Sequence, residues 1–260
     1  MNTTIVTSLY DIGRGSWNNI FQRSYQEYFK YFKNVLLLDC NMVIYIDEKD
    51  YDTVKLLRSE VDPSFQKTKF IINSFSNLEA FQKFYLKSKN VMDSLDFLKK
   101  RNEHHTPEML YPEYNIINFN KVSFVEQTIK ENPFSSDYFI WMDAGFYHNR
   151  FPKEYCLKQY PDSEKIKILD DNKVHFLTLS DQITLSSYLD PRVSITGSMF
   201  AGKAQPLIEL KKLCFEVIEE FLNAKAINDD QTIYAFAYQK NSNLFNLMQG
   251  DWFQNFYSFV

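Results

Sequence analysis

The sequence predicts one α/β domain, spanning residues 1–260, in which helices flank a mixed, mostly parallel sheet. Short apolar runs of strand length alternate along the chain with longer stretches whose apolar residues recur at helical spacing. The run from Met42 to Ile46 is apolar at every position, which is typical of a strand buried on both faces of a parallel sheet. A chain of 260 residues is within the size range of one large domain.

The first half of the chain opens with a β-prone run at residues 5–7, which ends in a polar loop containing Gly13 and Gly15. Apolar residues between Trp17 and Phe32 then recur at helical spacing and predict an amphipathic helix. By the same criteria, we expect helices at 51–58, 78–101 and 122–129, and strands at 42–46, 70–72 and 138–142.

The second half alternates less regularly. Residues 174–179 and 194–201 have strand character, whereas 206–222 and 230–239 predict helices, and an aromatic tail at 252–260 is expected to pack in the core. Ligands of doubly wound sheets bind beyond the carboxyl ends of the strands, where the strand order reverses. We therefore expect the site residues to lie at those ends.

Charge and cysteine content exclude several classes of protein. The formal net charge is −4 and the pI is about 5.7, with no basic stripe to neutralise phosphates, so we expect no nucleic-acid partner. Cys40, Cys156 and Cys214 match neither a disulfide framework nor a zinc site. The motifs GxGxxG, GxxxxGK[ST] and GxSxG, which indicate dinucleotide oxidoreductases, P-loop kinases and α/β-hydrolases, do not occur.

The N-terminal residues lead into an apolar strand without a preceding basic segment, so no signal peptide is evident. The most apolar stretch, residues 35–46, is interrupted by Asp39 and Asn41 and is too short to cross a bilayer. We expect a cytoplasmic protein without a transmembrane segment. Peripheral contact with the inner membrane is left open.

The pentapeptide at residues 141–145 is the most informative short segment. An apolar strand delivers the Asp143 carboxylate to its carboxyl end, and Gly145 permits a sharp turn or the close approach of a ligand. A hard divalent cation bound to this carboxylate could bridge to a diphosphate. An aspartate that caps a turn would have the same sequence, so the pentapeptide alone supports both interpretations equally.

A second polar segment, residues 228–231, lies at the start of a predicted helix. Aspartate at a helix start is a common N-cap, but three polar groups in succession exceed what a cap requires. Carboxylates there could hold sugar hydroxyls or deprotonate an acceptor hydroxyl. We therefore predict Asp229, Asp230 and Gln231 as catalytic residues.

The loop after the first strand supplies the first donor-binding candidates. Its backbone could contact a nucleobase, and a guanidinium there could reach a phosphate. The candidates in this loop are Thr7, Ser8, Tyr10, Asp11 and Arg14. Those elsewhere are Lys121, Trp141, Asp143, Gly197 and Ser198. Taken singly, each has an ordinary explanation as a surface, helix or strand-edge residue.

Together these segments resemble the bacterial HtrL/YibB family. The similarity extends over nearly the whole chain in the same order, which makes it more specific than any single motif. The matching segments are residues 4–14 with Trp17, Lys121, residues 132–134, 141–145, 197–202 and 229–231.

The resemblance implies a GT-A type glycosyltransferase of surface-polysaccharide synthesis. By this resemblance, Asp143 stands where GT-A enzymes have the first acid of their DxD motif, and the opening loop would hold the nucleotide. Asp230 and Gln231 would line the sugar near its anomeric carbon.

Gly145 stands in place of the second acid of that motif, so the pair of carboxylates that usually binds Mn²⁺ or Mg²⁺ is incomplete. Asp143 and His148 are our predicted metal ligands. Asp229 and Asp251 are the alternatives to His148.

We therefore expect a sugar to move from a nucleoside diphosphate, with UDP the expected nucleotide, to a hydroxyl of a bacterial surface glycan such as capsule or lipopolysaccharide. Two alternatives stay open. Gly13, Arg14 and Gly15 partly match the loop of a nucleotidyltransferase, one of several other nucleotide-sugar enzymes built on such a sheet. Gly145 favours a non-catalytic glycan-binding or scaffold protein with the same fold.

Overall fold

The computed structural model describes residues 2–17, 20–101, 106–146, 148–180, 183, 185, 187–189 and 194–260. Within this part of the chain lies one sheet of seven strands. They are β1 (Thr3–Leu9), β2 (Asn41–Ile46), β3 (Thr68–Ile72), β4 (Tyr138–Met142), β5 (Val174–Thr178), β6 (Ile195–Lys203) and β7 (Phe245–Gln249). Their order across the sheet is β3-β2-β1-β4-β6-β5-β7.

Helices cover both faces of this sheet. The α-helices found among the described residues are α1 (Tyr25–Leu36), α2 (Tyr51–Arg58), α3 (Glu79–Met92), α4 (Leu95–Lys100), α5 (Pro107–Leu110), α6 (Pro112–Phe119), α7 (Lys121–Glu131), α8 (Ser163–Lys167), α9 (Ala204–Asn223), α10 (Asp230–Lys240) and α11 (Gln254–Tyr257).

Strand β1 has a parallel neighbour on each side. It pairs in parallel with β2 on one side and with β4 on the other, so that Val6 lies between Val43 and Trp141. Strand β6 is antiparallel to both its neighbours, and the other pairings are parallel. The strand order therefore reverses between β1 and β4. The predicted fold class, an α/β fold with a mixed, mostly parallel sheet between helices, is confirmed.

Two apolar clusters enclose the sheet. Ile5 and Leu9 of β1 belong to one cluster and Val6 to the other, because successive strand residues point to opposite faces. Helices α3, α6, α7, α9 and α10 close the Val6 side, and α1 closes the other side. The aromatic tail contributes Phe256 and Phe259 to the second cluster, so it packs in the core as expected.

The predicted helix near the N-terminus begins later than its apolar spacing suggests. A capping box fixes its start at Tyr25, because the Ser24 side chain accepts a hydrogen bond from the Glu27 N–H and the Glu27 carboxylate accepts one from the Ser24 N–H. Trp17 lies outside the helix and stacks on Tyr111 at 3.8 Å between ring centroids.

Two further elements differ from the sequence prediction. Residues 78–101 form two helices, α3 and α4, because the Ser94 side chain caps α4 by accepting a hydrogen bond from the Phe97 N–H. No strand was expected at β7, which forms by parallel pairing with β5. Its Asn246 amide contacts Nδ1 of His175 in β5 at 2.9 Å. This hydrogen-bond partner of a polar strand residue is 71 positions away, so the local sequence does not reveal it.

A buried arginine joins the ends of several elements on the α1 side. Arg58, at the end of α2, is completely buried. Its guanidinium donates to the carbonyls of Leu36, Leu38 and Cys40 at 2.6–2.7 Å. Its Nε donates to Thr68 Oγ1 at 2.8 Å. These bonds connect the end of α1, α2, the residue before β2 and the first residue of β3.

We expect Arg58→Met to destabilise the fold strongly, because three buried carbonyls lose their donors and each such loss costs about 1–3 kcal/mol. Lys55→Met is the matched control, because Lys55 is exposed on the same helix. Urea unfolding should show a loss of at least about 3 kcal/mol for Arg58→Met and under about 0.5 kcal/mol for Lys55→Met. Equal effects of the two changes would contradict this assignment.

Candidate functional site

A cavity of about 310 Å³ lies beyond the carboxyl ends of β1 and β4, where the strand order reverses. Residues from the end of β1, the turn after β4, strand β6 and the starts of α7 and α10 contribute to its wall. The predicted site residues that line it are Ser8, Tyr10, Arg14, Lys121, Trp141, Asp143, His148, Gly197, Ser198, Asp230 and Gln231.

A buried ammonium group lies at the centre of the acidic part of this cavity. Lys121 Nζ is 2.8 Å from Asp230 Oδ2 and 3.1 Å from Asp143 Oδ2. It also donates to the Gly197 carbonyl oxygen at 3.1 Å. An ammonium has three N–H donors, so these three oxygens use all of them. The indole Nε1 of Trp141 completes the group by donating to Asp143 Oδ1 at 2.7 Å.

Local structure explains why these side chains converge. Lys121 and Asp230 are the first residues of α7 and α10, and Asp143 directly follows β4. The Asp143 N–H donates to the Ser198 carbonyl at 2.9 Å, which extends the pairing of β4 with β6 into the turn. Two helix starts and two strands therefore meet around one ammonium group.

Gly197 is the residue that lets Asp230 approach β6. A Cβ atom at position 197 would lie 1.9 Å from Asp230 Oδ2 and 2.6 Å from its Cγ. Real Cβ atoms essentially never come this close, so any larger residue would displace the carboxylate from Lys121. The requirement for glycine here is steric.

The charges of the cluster shift the pKa values of its members. Burial by itself would lower the pKa of Lys121, but the Asp143 and Asp230 carboxylates outweigh it and raise that pKa. Burial, together with the charge of Asp230, raises the pKa of Asp143, and Lys121 opposes this rise. Lys121 therefore stays positively charged between the buried carboxylate of Asp230 and the partly buried carboxylate of Asp143.

Asp229 and Asp230 have different roles although they are adjacent. Asp229 is the N-cap of α10, and its Oδ1 accepts a hydrogen bond from the Thr232 N–H at 3.2 Å. Its Oδ2 accepts from Gln231 Nε2 at 2.9 Å. Burial and then the charges of Asp230 and Glu108 raise the pKa of Asp229 above its usual value. Asp230 lines the cavity and Asp229 does not.

A second polar group in the cavity is cationic. Arg14 follows β1, and its Nε donates to the Phe21 carbonyl at 2.8 Å while Nη1 donates to the Tyr28 hydroxyl. Arg23 lines the same cavity, and its guanidinium carbon lies 5.3 Å from the Tyr28 ring centroid. Among the described residues, no ion pair joins either arginine to a carboxylate.

His148, a predicted metal ligand, lies among these arginines. Its Nδ1 contacts the Gly145 carbonyl, and its Nε2 is 3.4 Å from Arg23 Nη1. The ring stacks on Tyr31 at 5.5 Å. Burial lowers the pKa of His148, and the charges of nearby arginines lower it further. The imidazole is therefore in cationic surroundings.

These contacts do not fit a Mn²⁺ or Mg²⁺ ion held by Asp143 and His148. Lys121 and Trp141 already donate to both oxygens of Asp143, and the His148 nitrogens face a carbonyl and a guanidinium. Asp251, another candidate ligand, is exposed and its Oδ1 accepts from the Phe253 N–H. Over the described part of the chain, no group of three or more His, Cys, Asp or Glu side chains could hold a metal ion.

Several buried polar atoms in the cavity wall have no hydrogen-bond partner among the described residues. They are Tyr10 Oη, Asn118 Nδ2, Ser198 Oγ and Gln231 Oε1. Burial raises the pKa of Tyr10, and the charge of Asp47 adds to this rise, so its hydroxyl stays a neutral donor. Unsatisfied buried groups that face one cavity are typical of a site for a polar ligand.

Two predicted donor-binding residues do not line the cavity. Thr7 is completely buried within β1, whereas the cavity wall begins one residue later, at Ser8. Asp11 is exposed, and it accepts from the Gly13 N–H at 3.0 Å and pairs with Lys49 at 3.4 Å. Cavity residues that the sequence analysis missed include Arg23, Tyr28, Tyr114, Asn118 and Trp252.

The model of one protein family matches residues 1–260, the whole length of this chain. Its description is a bacterial protein of unknown function, HtrL_YibB. The chain belongs to the HtrL_YibB family. This confirms the family resemblance of the sequence.

A curated relative of this HtrL_YibB chain is Protein HtrL of Escherichia coli strain K12. The two are 27% identical over 275 residues, which cover 99% of this chain and 92% of the relative. Among solved structures, mouse xyloside xylosyltransferase 1 in its apo form is similar with a TM-score of 0.45 and 9% identity, covering 95% of this chain and 84% of that one. The 4-diphosphocytidyl-2C-methyl-D-erythritol synthase of Anaerococcus prevotii DSM 20548 is similar with a TM-score of 0.39 and 14% identity, covering 99% and 88%.

Among the described residues of this HtrL_YibB chain, no helix combines the length and the apolar character needed to cross a bilayer.

We expect Gly197→Ala to break the contact between Asp230 and Lys121, because the new methyl group occupies the place of the carboxylate. Overpacking of this kind costs about 1–3 kcal/mol. Gly202→Ala on the same strand is the control, because its Cβ would come no closer than 3.2 Å to another atom, the Lys173 carbonyl oxygen. The free energy of unfolding in urea should fall clearly more for Gly197→Ala, and an equal fall in both variants would contradict the steric role of Gly197.

Proposed function

We propose that this HtrL_YibB chain is a glycosyltransferase that uses a nucleoside diphosphate sugar, most simply a UDP-sugar. The acceptor would be a hydroxyl of a bacterial surface glycan, in capsule or lipopolysaccharide synthesis. The observation that carries this proposal is the separation of charge within one cavity. Asp143 and Asp230 form an acidic group around Lys121, while Arg14 and Arg23 form a cationic group that has no carboxylate partner among the described residues.

This separation suits a donor that becomes polarised as it reacts. In glycosyl transfer, positive charge develops on the sugar and negative charge on the departing diphosphate. Carboxylates stabilise the first charge and guanidinium groups stabilise the second. The location at the switch point of the sheet also favours a nucleotide-type ligand.

In an inverting transfer, Asp230 is our candidate for the general base. The acceptor oxygen forms a bond to the anomeric carbon, and its proton passes to the Asp230 carboxylate. The bond between the anomeric carbon and the diphosphate oxygen breaks, and its electron pair leaves with UDP. Asp230 suits this role because Lys121 contacts Oδ2, while Oδ1 accepts no hydrogen bond from the described residues.

In a retaining transfer, Asp230 and Gln231 would instead stabilise the cationic sugar. The Gln231 Oε1 atom is buried and has no partner among the described residues, so it is suited to accept a hydrogen bond from a sugar hydroxyl. Ser198 Oγ is suited to the same task. Both mechanisms need the nucleotide-sugar donor to be bound in the same position.

We expect the purified protein to release UDP slowly from one member of a UDP-sugar panel, even without acceptor. Asp143→Asn should lower this rate by about 10²-fold or more, because the variant loses a carboxylate charge beside the reacting sugar. The variant should remain folded, since an amide oxygen can still accept from Trp141. UDP release is measured with Mn²⁺, with Mg²⁺ and with EDTA, and circular dichroism checks the fold.

Asp171→Asn is the matched control, because Asp171 is exposed and also pairs with a lysine, Lys203. It should leave the rate unchanged. If no donor is bound or turned over, a non-catalytic scaffold is the better description. Release of pyrophosphate from UTP and a sugar 1-phosphate would identify a nucleotidyltransferase.

A further inference from the structure

The cationic group of the cavity is held by aromatic rings. The guanidinium carbon of Arg14 lies 5.6 Å from the Tyr28 ring centroid, 5.2 Å from that of Trp17 and 5.8 Å from that of Tyr114. Arg23 lies over Tyr28 at 5.3 Å and over Tyr31 at 5.8 Å. Contacts with ring faces orient a guanidinium group but leave its positive charge unneutralised.

Both arginines have N–H groups that form no hydrogen bond with the described residues. Arg14 uses Nε and one N–H of Nη1, so its Nη2 has no partner among the described residues. Arg23 has one polar contact in the same part of the chain, from Nη1 to His148 at 3.4 Å. Two oriented cations in one cavity, each with N–H groups that no described residue accepts from, are suited to an anion with several oxygens.

The acidic group already contains a cation. Lys121 contacts both Asp143 and Asp230, which are the carboxylates that a divalent ion would use at this site. The side chain of Lys121 is only 7% exposed, so its ammonium cannot move into solvent without a change in the surrounding structure. A divalent ion would have to displace it.

We propose that Arg14 and Arg23 bind the diphosphate of the donor directly, and that Lys121 occupies the place beside Asp143 and Asp230 that a divalent cation would otherwise take. This inference rests on the proposed function, because it requires a nucleoside diphosphate ligand. Binding of the donor is then independent of divalent metal ions.

On both sides of the bond that breaks, the charges of the protein are opposite to those of the donor. Two guanidinium groups balance the two negative charges of a nucleotide-sugar diphosphate, and each can form paired hydrogen bonds with phosphate oxygens. The additional charge on the leaving group develops beside these arginines.

The test is calorimetric titration of the full chain with UDP, in buffer with EDTA and in buffer with Mn²⁺. We expect the same Kd in both buffers, within about twofold. Arg23→Gln should raise the Kd for UDP by about tenfold or more, because a charged hydrogen-bond partner of the diphosphate is lost. It should change the Kd for uridine, which has no phosphate, by less than about twofold.

Arg23 is preferred to Arg14 for this test, because Arg14 also holds the Phe21 carbonyl and so shapes the loop. Arg150→Gln is the matched control, since Arg150 is an exposed arginine in the turn that begins at His148 and does not line the cavity. Its Kd for UDP should equal that of the wild type.

Two results would overturn the inference while leaving the proposed function in place. One is UDP binding that EDTA abolishes and Mn²⁺ restores, and the other is an Arg23→Gln variant that binds UDP as tightly as the wild type. If UDP, GDP and ADP all fail to bind in either buffer, the proposed function fails as well.

Discussion

One buried ammonium group, that of Lys121, fixes the relative positions of the segments that form the cavity. It contacts the carboxylates of Asp143 and Asp230 and the carbonyl of Gly197, so it joins α7, the end of β4, the start of α10 and β6. A buried charge is costly unless it is paired and hydrogen-bonded. The pairing of this buried charge therefore depends on all four segments, and Gly197 is needed because only glycine leaves room for Asp230.

The same contact divides the cavity into two electrostatic regions. Lys121 pairs with Asp143 and Asp230, whereas Arg14 and Arg23 have no carboxylate partner among the described residues. The two guanidinium groups can therefore bind an anionic ligand. Lys121 therefore affects both the stability of this edge of the sheet and the electrostatic environment of a bound nucleotide-sugar donor.

Much of the fold could be predicted from the sequence, because strands such as β4 are apolar at every position and their buried neighbours are apolar too. Lys121, Asp143, Gly197 and Asp230 could each be recognised as candidates, but not as one cluster, since their contacts span up to 109 positions. Thr7 was also a candidate, but it is completely buried within β1, and only the last residues of that strand line the cavity. Arg23 gave no signal, because its position depends on rings from α1 and not on its local sequence.

A double-mutant cycle of Lys121→Met and Asp230→Asn, followed by urea unfolding, measures how strongly the ammonium and its carboxylate partner depend on each other. Lys121→Met alone should cost roughly 3–5 kcal/mol, because it leaves buried carboxylates without their cation. In the Asp230→Asn background the same change should cost clearly less, with a coupling energy above about 1 kcal/mol. Costs that add to within about 0.5 kcal/mol would show that the two residues do not depend on each other, and the account would be wrong.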